Sequence, residues 1–356
     1  MARNFGNRLL LAIIYLLVSV VAPLTVWAQL PTTRGRIPLE DNQPHTAPIY
    51  TVPLGSAMEE YSYPFPVSYL SFDIEREPVR MAYMDVRPTA NANGRTVVLL
   101  HGKNFYGSYW EQTIRALSQA GYRVVVPDQI GFGKSSKPDI RYSFDLLASN
   151  TARLLDELNI RQATIVGHSM GGMLAVRFAR TFPERTTQLI LENPIGLEDY
   201  RFAIPPQDFA TLYQNEINQT PEAYRQFVRR YFVEWKTEYE RFVEVRARIR
   251  LGGEFPRWAR VSALTYQMIY QQPVRHEFNL ISTPTLLIIG QEDRTVVGGN
   301  YVSEKVRRTL GQYPQLGQAA AGDIPNSRLI ELKRVGHIPH LEATNEFNRV
   351  LLEFLR

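Results

Sequence analysis

The most constraining feature of this 356-residue chain is a glycine-flanked serine between a predicted strand and a predicted helix. An apolar run, Ala163–Val166, predicts a short strand, and Met170–Phe182 predicts a helix that Pro183 ends. Between them stands Gly167-His168-Ser169-Met170-Gly171, which fits the pattern G-x-S-x-G. In a strand–turn–helix setting this pattern forms a sharp turn that holds the serine hydroxyl out of the sheet, beside the positive end of a helix. The turn therefore predicts Ser169 as a nucleophile.

Strands and helices alternate on both sides of that turn. The predicted strands are short and mostly apolar, as strands buried on both faces of a sheet are. This alternation favours an α/β fold with a mostly parallel twisted sheet and helices on both faces, preceded by an antiparallel hairpin of Val67–Ile74 and Val79–Val86. The other predicted elements are the strands Thr96–Leu100, Tyr122–Pro127, Gln188–Leu191, Thr285–Ile289 and Arg328–Leu332 and the helices Tyr109–Gln119, Phe144–Leu158 and Asn345–Leu355.

The alternation stops between two of these strands. Residues 195–280 are predicted to be helical, so they form a helical cap inserted into a core of residues 67–194 and 281–356. Insertions that leave from the loops of a sheet often cover a site. Nine arginines between Pro221 and Arg260 are interpreted as solvated helix faces rather than as an anion site. No role is assigned to the long segment Tyr313–Asn326.

A serine hydroxyl is a poor nucleophile without a base, and the order of the chain indicates which base to expect. Two histidines, His337 and His340, follow the last predicted strand. His337 is the preferred base because it comes directly after the loop glycine, Gly336. His340 already leads into the last helix, and we expect it to be structural.

An acid is expected between the serine and the histidine, in a loop that leaves a strand. Asp293, just after the strand Thr285–Ile289, fits this place and would orient His337 and stabilise its charged form. Glu292 and Asp323 remain alternative acids.

An oxyanion hole needs two backbone N–H groups. One is expected from Met170, the residue after the nucleophile, and the other from the loop that follows Leu100. Lys103 is the preferred second donor, with Asn104 as the alternative. The Lys103 side chain itself is expected to be solvated.

Taken together, several motifs in the same order resemble the α/β-hydrolase superfamily. The resemblance covers roughly residues 67–356 and implies a Ser-His-Asp hydrolase whose helical insertion is a lid. Ser169 stands where the dehalogenases and epoxide hydrolases of this fold have an aspartate. The sequence contains no cofactor motif, so no cofactor and no metal are expected. The motifs are His101-Gly102, Asp128-Gln129-Ile130-Gly131-Phe132-Gly133-Lys134-Ser135-Ser136, the Gly-His-Ser-Met-Gly-Gly turn at 167–172, Gly290-Gln291-Glu292-Asp293 and Gly336-His337.

The substrate is the least constrained feature. Aromatic residues near the expected site predict an apolar pocket that favours an uncharged or lipophilic acyl group of a small molecule. A carboxylic ester is the first expectation. A lactonase, an aminopeptidase-like amidase, a C–C bond hydrolase and a catalytically silent binding protein of the same fold are the alternatives. The candidate pocket residues are Tyr106, Trp110, Phe132, Tyr200 and Phe202.

The N-terminus predicts export. Arg3 and Arg8 precede an apolar run, and Ala28 offers a cleavage site, so residues 1–28 are expected to be a signal peptide and 29–66 a Pro-rich extended lead-in. The mature protein would be periplasmic or secreted without a membrane span. An uncleaved membrane anchor is the alternative. The chain has no cysteine, so disulfides and thiolate chemistry are excluded. The basic residues behind its net charge of +5 are scattered along the chain, which argues against a nucleic-acid partner.

Overall fold

The computed structural model describes residues 48–356, and these contain one eight-stranded sheet. The strand order is β1-β2-β4-β3-β5-β6-β7-β8, and only β2 runs against its neighbours. The predicted mostly parallel α/β fold is therefore confirmed. The strands are β1 (Val67–Ile74), β2 (Glu77–Val86), β3 (Thr96–Leu100), β4 (Arg123–Pro127), β5 (Ala163–His168), β6 (Thr186–Glu192), β7 (Thr285–Gly290) and β8 (Ser327–Leu332).

The first hairpin is tighter than the sequence indicated. Glu75 and Arg76 both have positive φ, at 49° and 68°, which suits a two-residue turn between twisted strands. The ladder therefore continues through the pair Ile74–Glu77, and β2 begins two residues before the predicted Val79.

Helices cover both faces of the sheet. Alternate residues of a buried strand point to opposite faces, so β3 contributes Val98 and Leu100 to one hydrophobic core and Val97 and Leu99 to the other. The first core is completed by α2, α3 and α9, and the second by α1 and α11. The helices are α1 (Glu111–Gln119), α2 (Phe144–Glu157), α3 (Met170–Thr181), α4 (Phe209–Asn218), α5 (Pro221–Arg229), α6 (Glu240–Arg250), α7 (Phe255–Gln271), α8 (Glu304–Arg307), α9 (Tyr313–Asp323), α10 (Pro339–Glu342) and α11 (Thr344–Leu355).

The segment between β6 and β7 contains α4 to α7 and short 3-10 turns. Within the described chain no strand interrupts it. The segment Tyr313–Asn326, to which the sequence assigned no role, holds α9, which packs on β7 and β8 and connects these two parallel strands. It is a crossover helix, as parallel neighbouring strands require.

Residues 48–66, which we call the strap, lie against the segment between β6 and β7 and against the loop after β4. The Leu54 N–H donates to the Arg248 carbonyl at 3.0 Å, and the Tyr63 hydroxyl donates to Asp128 at 2.6 Å. Leu54 and Met58 are buried there. The predicted signal peptide, 1–28, and the lead-in up to residue 47 lie outside the described residues.

Candidate active site

The turn around Ser169 has the strained geometry that the motif predicts. Ser169 has φ 55° and ψ −119°. Residues other than glycine rarely adopt this backbone conformation, and the strain costs about 1–3 kcal/mol of folding free energy. The turn is possible because α3 passes close to the end of β3: a Cβ on Gly171 would lie 2.2 Å from the Leu100 carbonyl oxygen. The strain therefore persists because the neighbouring backbone fixes it.

Ser169, His337 and Asp293 form one hydrogen-bonded line. The Ser169 hydroxyl lies 3.0 Å from His337 Nε2, and His337 Nδ1 lies 2.7 Å from Asp293 Oδ2. His337 and Asp293 are almost completely buried, and Ser169 is 6% exposed. In this arrangement the serine proton can pass to His337, while the Nδ1–H donates to Asp293 and fixes the tautomer.

Asp293 is held as a carboxylate despite its burial. Burial raises the pKa of Asp293, but the charge and hydrogen bond of His337, together with hydrogen bonds from Thr295 and Asn193, outweigh burial and bring the pKa below its usual value. The alternative acids lie elsewhere, since Glu292 is exposed and Asp323 pairs with Arg275.

Three backbone N–H groups near Ser169 are available to an oxyanion. Among residues 48–356 the N–H groups of Met170, Lys103 and Asn104 have no hydrogen-bond acceptor. The loop comes close to the serine, because a Cβ on Gly102 would lie 3.1 Å from the Ser169 Cβ. The geometry thus leaves both Lys103 and Asn104 as the partner of Met170.

Two buried side chains, Tyr109 and His168, link the histidine loop to the loop that carries Lys103. Neither of them was assigned a role from the sequence. The Gly102 N–H donates to the Tyr109 hydroxyl at 3.0 Å, and that hydroxyl lies 2.9 Å from His168 Nδ1. His168 Nε2 donates to the His337 carbonyl at 2.8 Å, so Nδ1 is the acceptor of the tyrosine proton. A continuous chain thus runs from the backbone of His337 to the loop of Lys103. The only sequence signal was His168, inside the serine motif itself.

Two further missed residues support the site from the end of β6. Asn193 donates its side-chain N–H to Asp293 Oδ2 at 2.8 Å and accepts the Gly290 N–H at 2.8 Å. Glu192 accepts the His340 N–H at 2.7 Å, and the two side chains form a buried pair. Burial raises the pKa of Glu192 to about 7 and keeps the pKa of His340 well below its usual value, which favours the neutral form of His340.

A small cavity of about 50 Å³ lies between the loop Lys103–Tyr106 and helices α6 and α7. Two predicted pocket residues, Tyr106 and Phe132, line it. Ser169 is not among its lining residues, so the cavity adjoins the serine through the loop that carries the Lys103 N–H.

The other three predicted pocket residues are placed elsewhere, which corrects the expectation for each. Trp110 is fully buried in the core and stacks on the His340 ring at 4.0 Å. Tyr200 is buried where its hydroxyl accepts the Gly196 N–H, and Phe202 is 84% exposed. None of the three is among the residues that line the cavity.

Two other kinds of site are absent from residues 48–356. There is no cluster of three His, Cys, Asp or Glu side chains that could hold a metal ion in that range. Nor does that part of the chain contain a helix long and apolar enough to cross a bilayer.

Comparison with known proteins gives consistent relatives. The chain is 30% identical over 283 residues to the 2-hydroxy-6-oxononadienedioate/2-hydroxy-6-oxononatrienedioate hydrolase of Burkholderia vietnamiensis, covering 78% of this chain and 91% of that protein. It is 28% identical over 269 residues to the 2-hydroxy-6-oxo-6-phenylhexa-2,4-dienoate hydrolase of Comamonas testosteroni, covering 74% and 88%. The crystal structure of a probable hydrolytic enzyme from Pseudomonas aeruginosa PAO1 matches with a TM-score of 0.84 and 42% identity, covering 86% of this chain and 99% of that one.

The family model described as alpha/beta hydrolase fold matches residues 95–344, which is more than half of the chain. The match spans the serine turn, the acid loop and the histidine loop described above. The chain is therefore a hydrolase of the α/β-hydrolase fold family.

Proposed function

We propose that Ser169 is the nucleophile of a serine hydrolase, with His337 as general base and Asp293 as its orienting acid. The observation that carries this proposal is the buried line from Ser169 Oγ through His337 to Asp293, at 3.0 and 2.7 Å. Nucleophile, base and orienting acid within hydrogen-bond reach are the geometry that nucleophilic catalysis needs. The N–H groups of Met170 and Lys103, which have no acceptor within residues 48–356, would hold the oxyanion.

The reaction proceeds in two halves. Ser169 Oγ attacks a carbonyl carbon while its proton passes to His337 Nε2, and the Met170 and Lys103 N–H groups hold the resulting oxyanion. Collapse of this intermediate breaks the bond to the leaving group, which takes the proton from His337 and leaves an acyl-serine. Water then attacks the acyl-serine with His337 as base, and Ser169 is restored.

The bond proposed for cleavage is a carbon–carbon bond next to a ketone. The relatives from Burkholderia vietnamiensis and Comamonas testosteroni are named as hydrolases of 6-oxo-dienoates. A compound of that name has a ketone and no ester, so water can cleave it only at a carbon–carbon bond beside the carbonyl. These names support the C–C bond hydrolase that the sequence left as an alternative over the carboxylic ester that it put first.

Carboxylic ester hydrolysis is the second candidate. An alcohol leaves readily once His337 protonates it, so the line from Ser169 to Asp293 is sufficient for an ester. A carbon leaving group must in addition be stabilised as it takes up the electron pair of the broken bond. The same acyl-serine is formed in both cases.

The test compares two substrates and three proteins. The wild type, Ser169→Ala and Ser71→Ala are assayed on 2-hydroxy-6-oxonona-2,4-dienedioate, the class of substrate for which the Burkholderia vietnamiensis relative is named, and on 4-nitrophenyl butyrate. Ser71 is the control because it is an exposed serine on β1. We expect kcat/KM for the dienedioate to exceed that for the ester by about tenfold or more. Ser169→Ala should lower both values by at least about 10³-fold.

Each other outcome has a definite meaning. Turnover of the ester with none of the dienedioate would replace the first candidate by the second. Full activity of folded Ser169→Ala would refute the nucleophile. A folded wild type that turns over neither substrate and takes up no fluorophosphonate would identify the silent binding protein.

We also propose that the protein is exported and that its partner is a small molecule rather than a nucleic acid. Both proposals rest on the sequence: the charged and apolar pattern of residues 1–28, and the scattered distribution of the basic residues.

A further inference from the structure

The cavity beside the Lys103 loop is lined by three basic side chains and by no acidic one within residues 48–356. The basic residues are Lys103, Lys137 and Arg246. The rest of the wall is mostly apolar and aromatic, so these charges stand in surroundings that screen them poorly. Lys137 is satisfied locally, because its Nζ donates to the Gly133 and Ser135 carbonyls.

Lys103 donates the fewest side-chain hydrogen bonds of the three, one against two each for Lys137 and Arg246. Its side chain is 14% exposed, which corrects the expectation that it is solvated. Its Nζ donates to the Ser262 hydroxyl at 2.8 Å, and the nearest carboxylate oxygen, on Glu216, is 3.9 Å away. An ammonium group has three donors, so two remain unused within the described chain. Burial and nearby Arg246 lower the pKa of Lys103, while Glu216 raises it.

Arg246 approaches the same carboxylate from α6. Its Nη2 donates to Glu216 at 2.6 Å and to Gln219 at 3.1 Å, and its guanidinium lies 4.0 Å from the centre of the Trp258 ring. Its Nε and Nη1 donate to no residue in 48–356. The side chain is only 7% exposed, so Arg246 is not one of the solvated arginines that the sequence suggested.

The cluster of Lys103, Ser262, Glu216 and Arg246 therefore has two positive charges and one negative charge. Ser262 accepts from Lys103 and donates to Glu216 at 2.8 Å, which joins the four side chains into one network. An uncompensated buried charge is costly, and a second anion in the cavity would balance it. The unused donors of both cations belong to side chains that line this cavity.

We propose that the acyl group of the substrate carries a carboxylate, and that Lys103 and Arg246 bind it. This inference rests on the proposed function, because it takes the cavity as the place of the acyl group. Lys103 then has two roles: its backbone N–H faces the oxyanion, and its side chain binds the carboxylate about one lysine length away. The proposal replaces the uncharged or lipophilic acyl group that the aromatic residues alone suggested.

A pair of esters that differ only in this charge tests the proposal. Mono-4-nitrophenyl glutarate and 4-nitrophenyl pentanoate have the same acyl length and leaving group. We expect wild-type kcat/KM to favour the glutarate by about tenfold or more, since charge-assisted hydrogen bonds are the stronger ones. Because the preference is a ratio measured within one protein, partial loss of folded protein cancels.

Three variants locate the source of the preference. Arg246→Gln and Lys103→Met should each reduce it by about tenfold, through KM for the glutarate. Glu216→Gln should increase it, because the competing internal carboxylate is removed. Arg260→Gln is the matched control: Arg260 lies on α7 but pairs with Asp139 and does not line the cavity. A wild-type preference near one, or an equal effect of Arg260→Gln, would overturn the proposal.

Binding without turnover separates this inference from the proposed function. Calorimetry on Ser169→Ala should detect binding of glutarate. The double variant Ser169→Ala, Arg246→Gln should bind glutarate at least about tenfold more weakly. Neutral glutaramide should not bind to either protein. Binding of glutarate by a protein that hydrolyses nothing would keep the carboxylate site and refute the enzyme. Hydrolysis of both esters at equal rates without glutarate binding would keep the enzyme and refute the carboxylate site.

Discussion

The roles of single residues in the proposed site follow from which hydrogen bonds each can make. Asp293 accepts from His337, Asn193 and Thr295, so all its partners are donors. A neutral amide at this place would present an N–H to at least one of these donors. His337 would then favour the wrong tautomer.

Asp293→Asn is therefore expected to lower kcat by about 10⁴-fold while the protein stays folded. The reason is the tautomer of His337, which must keep Nε2 open for the serine proton. Steady-state kinetics on the better of the two substrates, with circular dichroism on the same samples, gives the measurement. Asp323→Asn, at the alternative acid, is the control and should match the wild type. A loss of less than tenfold in Asp293→Asn would remove Asp293 from the mechanism.

We expect Tyr109 to be a positioning residue rather than a catalytic one, because its hydroxyl connects Gly102 to His168 and Tyr109 does not line the cavity. Tyr109→Phe leaves two buried polar groups without their partner, which costs about 1–3 kcal/mol each at most. We expect a lower melting temperature and, in addition, a kcat reduced about tenfold with little change in KM, since the oxyanion loop loses its anchor.

The control for this prediction is Tyr122→Phe. Its buried hydroxyl donates to the Leu355 carbonyl at 3.2 Å, away from the serine turn. It should lower the melting temperature and leave kcat unchanged. If both variants lose stability and neither loses kcat, the chain from Gly102 to His337 is only structural.

At the scale of elements, the site is built where β3, β5, β7 and β8 end. These strands are parallel, so their carboxyl ends meet at one edge, and the loops after them carry Lys103, Ser169, Asp293 and His337. Such crevices at the carboxyl edge are where open α/β sheets bind ligands. The helix α3 adds no side chain to the hydrogen bonds that run from Ser169 through His337 to Asp293. It still matters for the site, because it must approach β3 closely.

Two glycine substitutions test this close approach. Gly171→Ala places a methyl group within 2.2 Å of the Leu100 carbonyl oxygen, a backbone atom that cannot move away cheaply, so we expect a loss of about 3 kcal/mol or more. Gly322→Ala, near the end of α9, meets nothing within 4 Å and should raise stability by about 0.5 kcal/mol. Chemical denaturation of both variants gives the two values. Equal effects would show that the α3–β3 contact is not tight.

At the scale of the whole molecule, the N-terminus is open to a direct prediction. If residues 1–28 are a cleaved signal, protein recovered from an exporting host has an intact mass that begins at Gln29. Chain that keeps Met1 and stays with the membrane fraction would support the anchored alternative. A substitution of Ala28 by a bulky residue is the control, because it should block cleavage and leave the longer mass.

The features that follow from the sequence are those that short stretches of chain decide. The alternation of apolar runs predicted the sheet, since a strand buried on both faces has to be apolar throughout. Ser169, Asp293 and His337, which the structure brings together, were found because each follows a strand of that sheet, in the order serine, acid, histidine. Their backbone positions depend on local turns.

Tertiary structure alone decided which side chains share a space. Trp110 and Phe202 were expected at the pocket but lie in the core and in solvent, whereas Arg246, on α6, lines the cavity. Asn193 and Tyr109 have no local signal, because their partners come from loops far away in sequence. A side chain's direction depends on how elements pack on one another, and the charge inside the cavity depends on contacts that no single stretch of sequence contains.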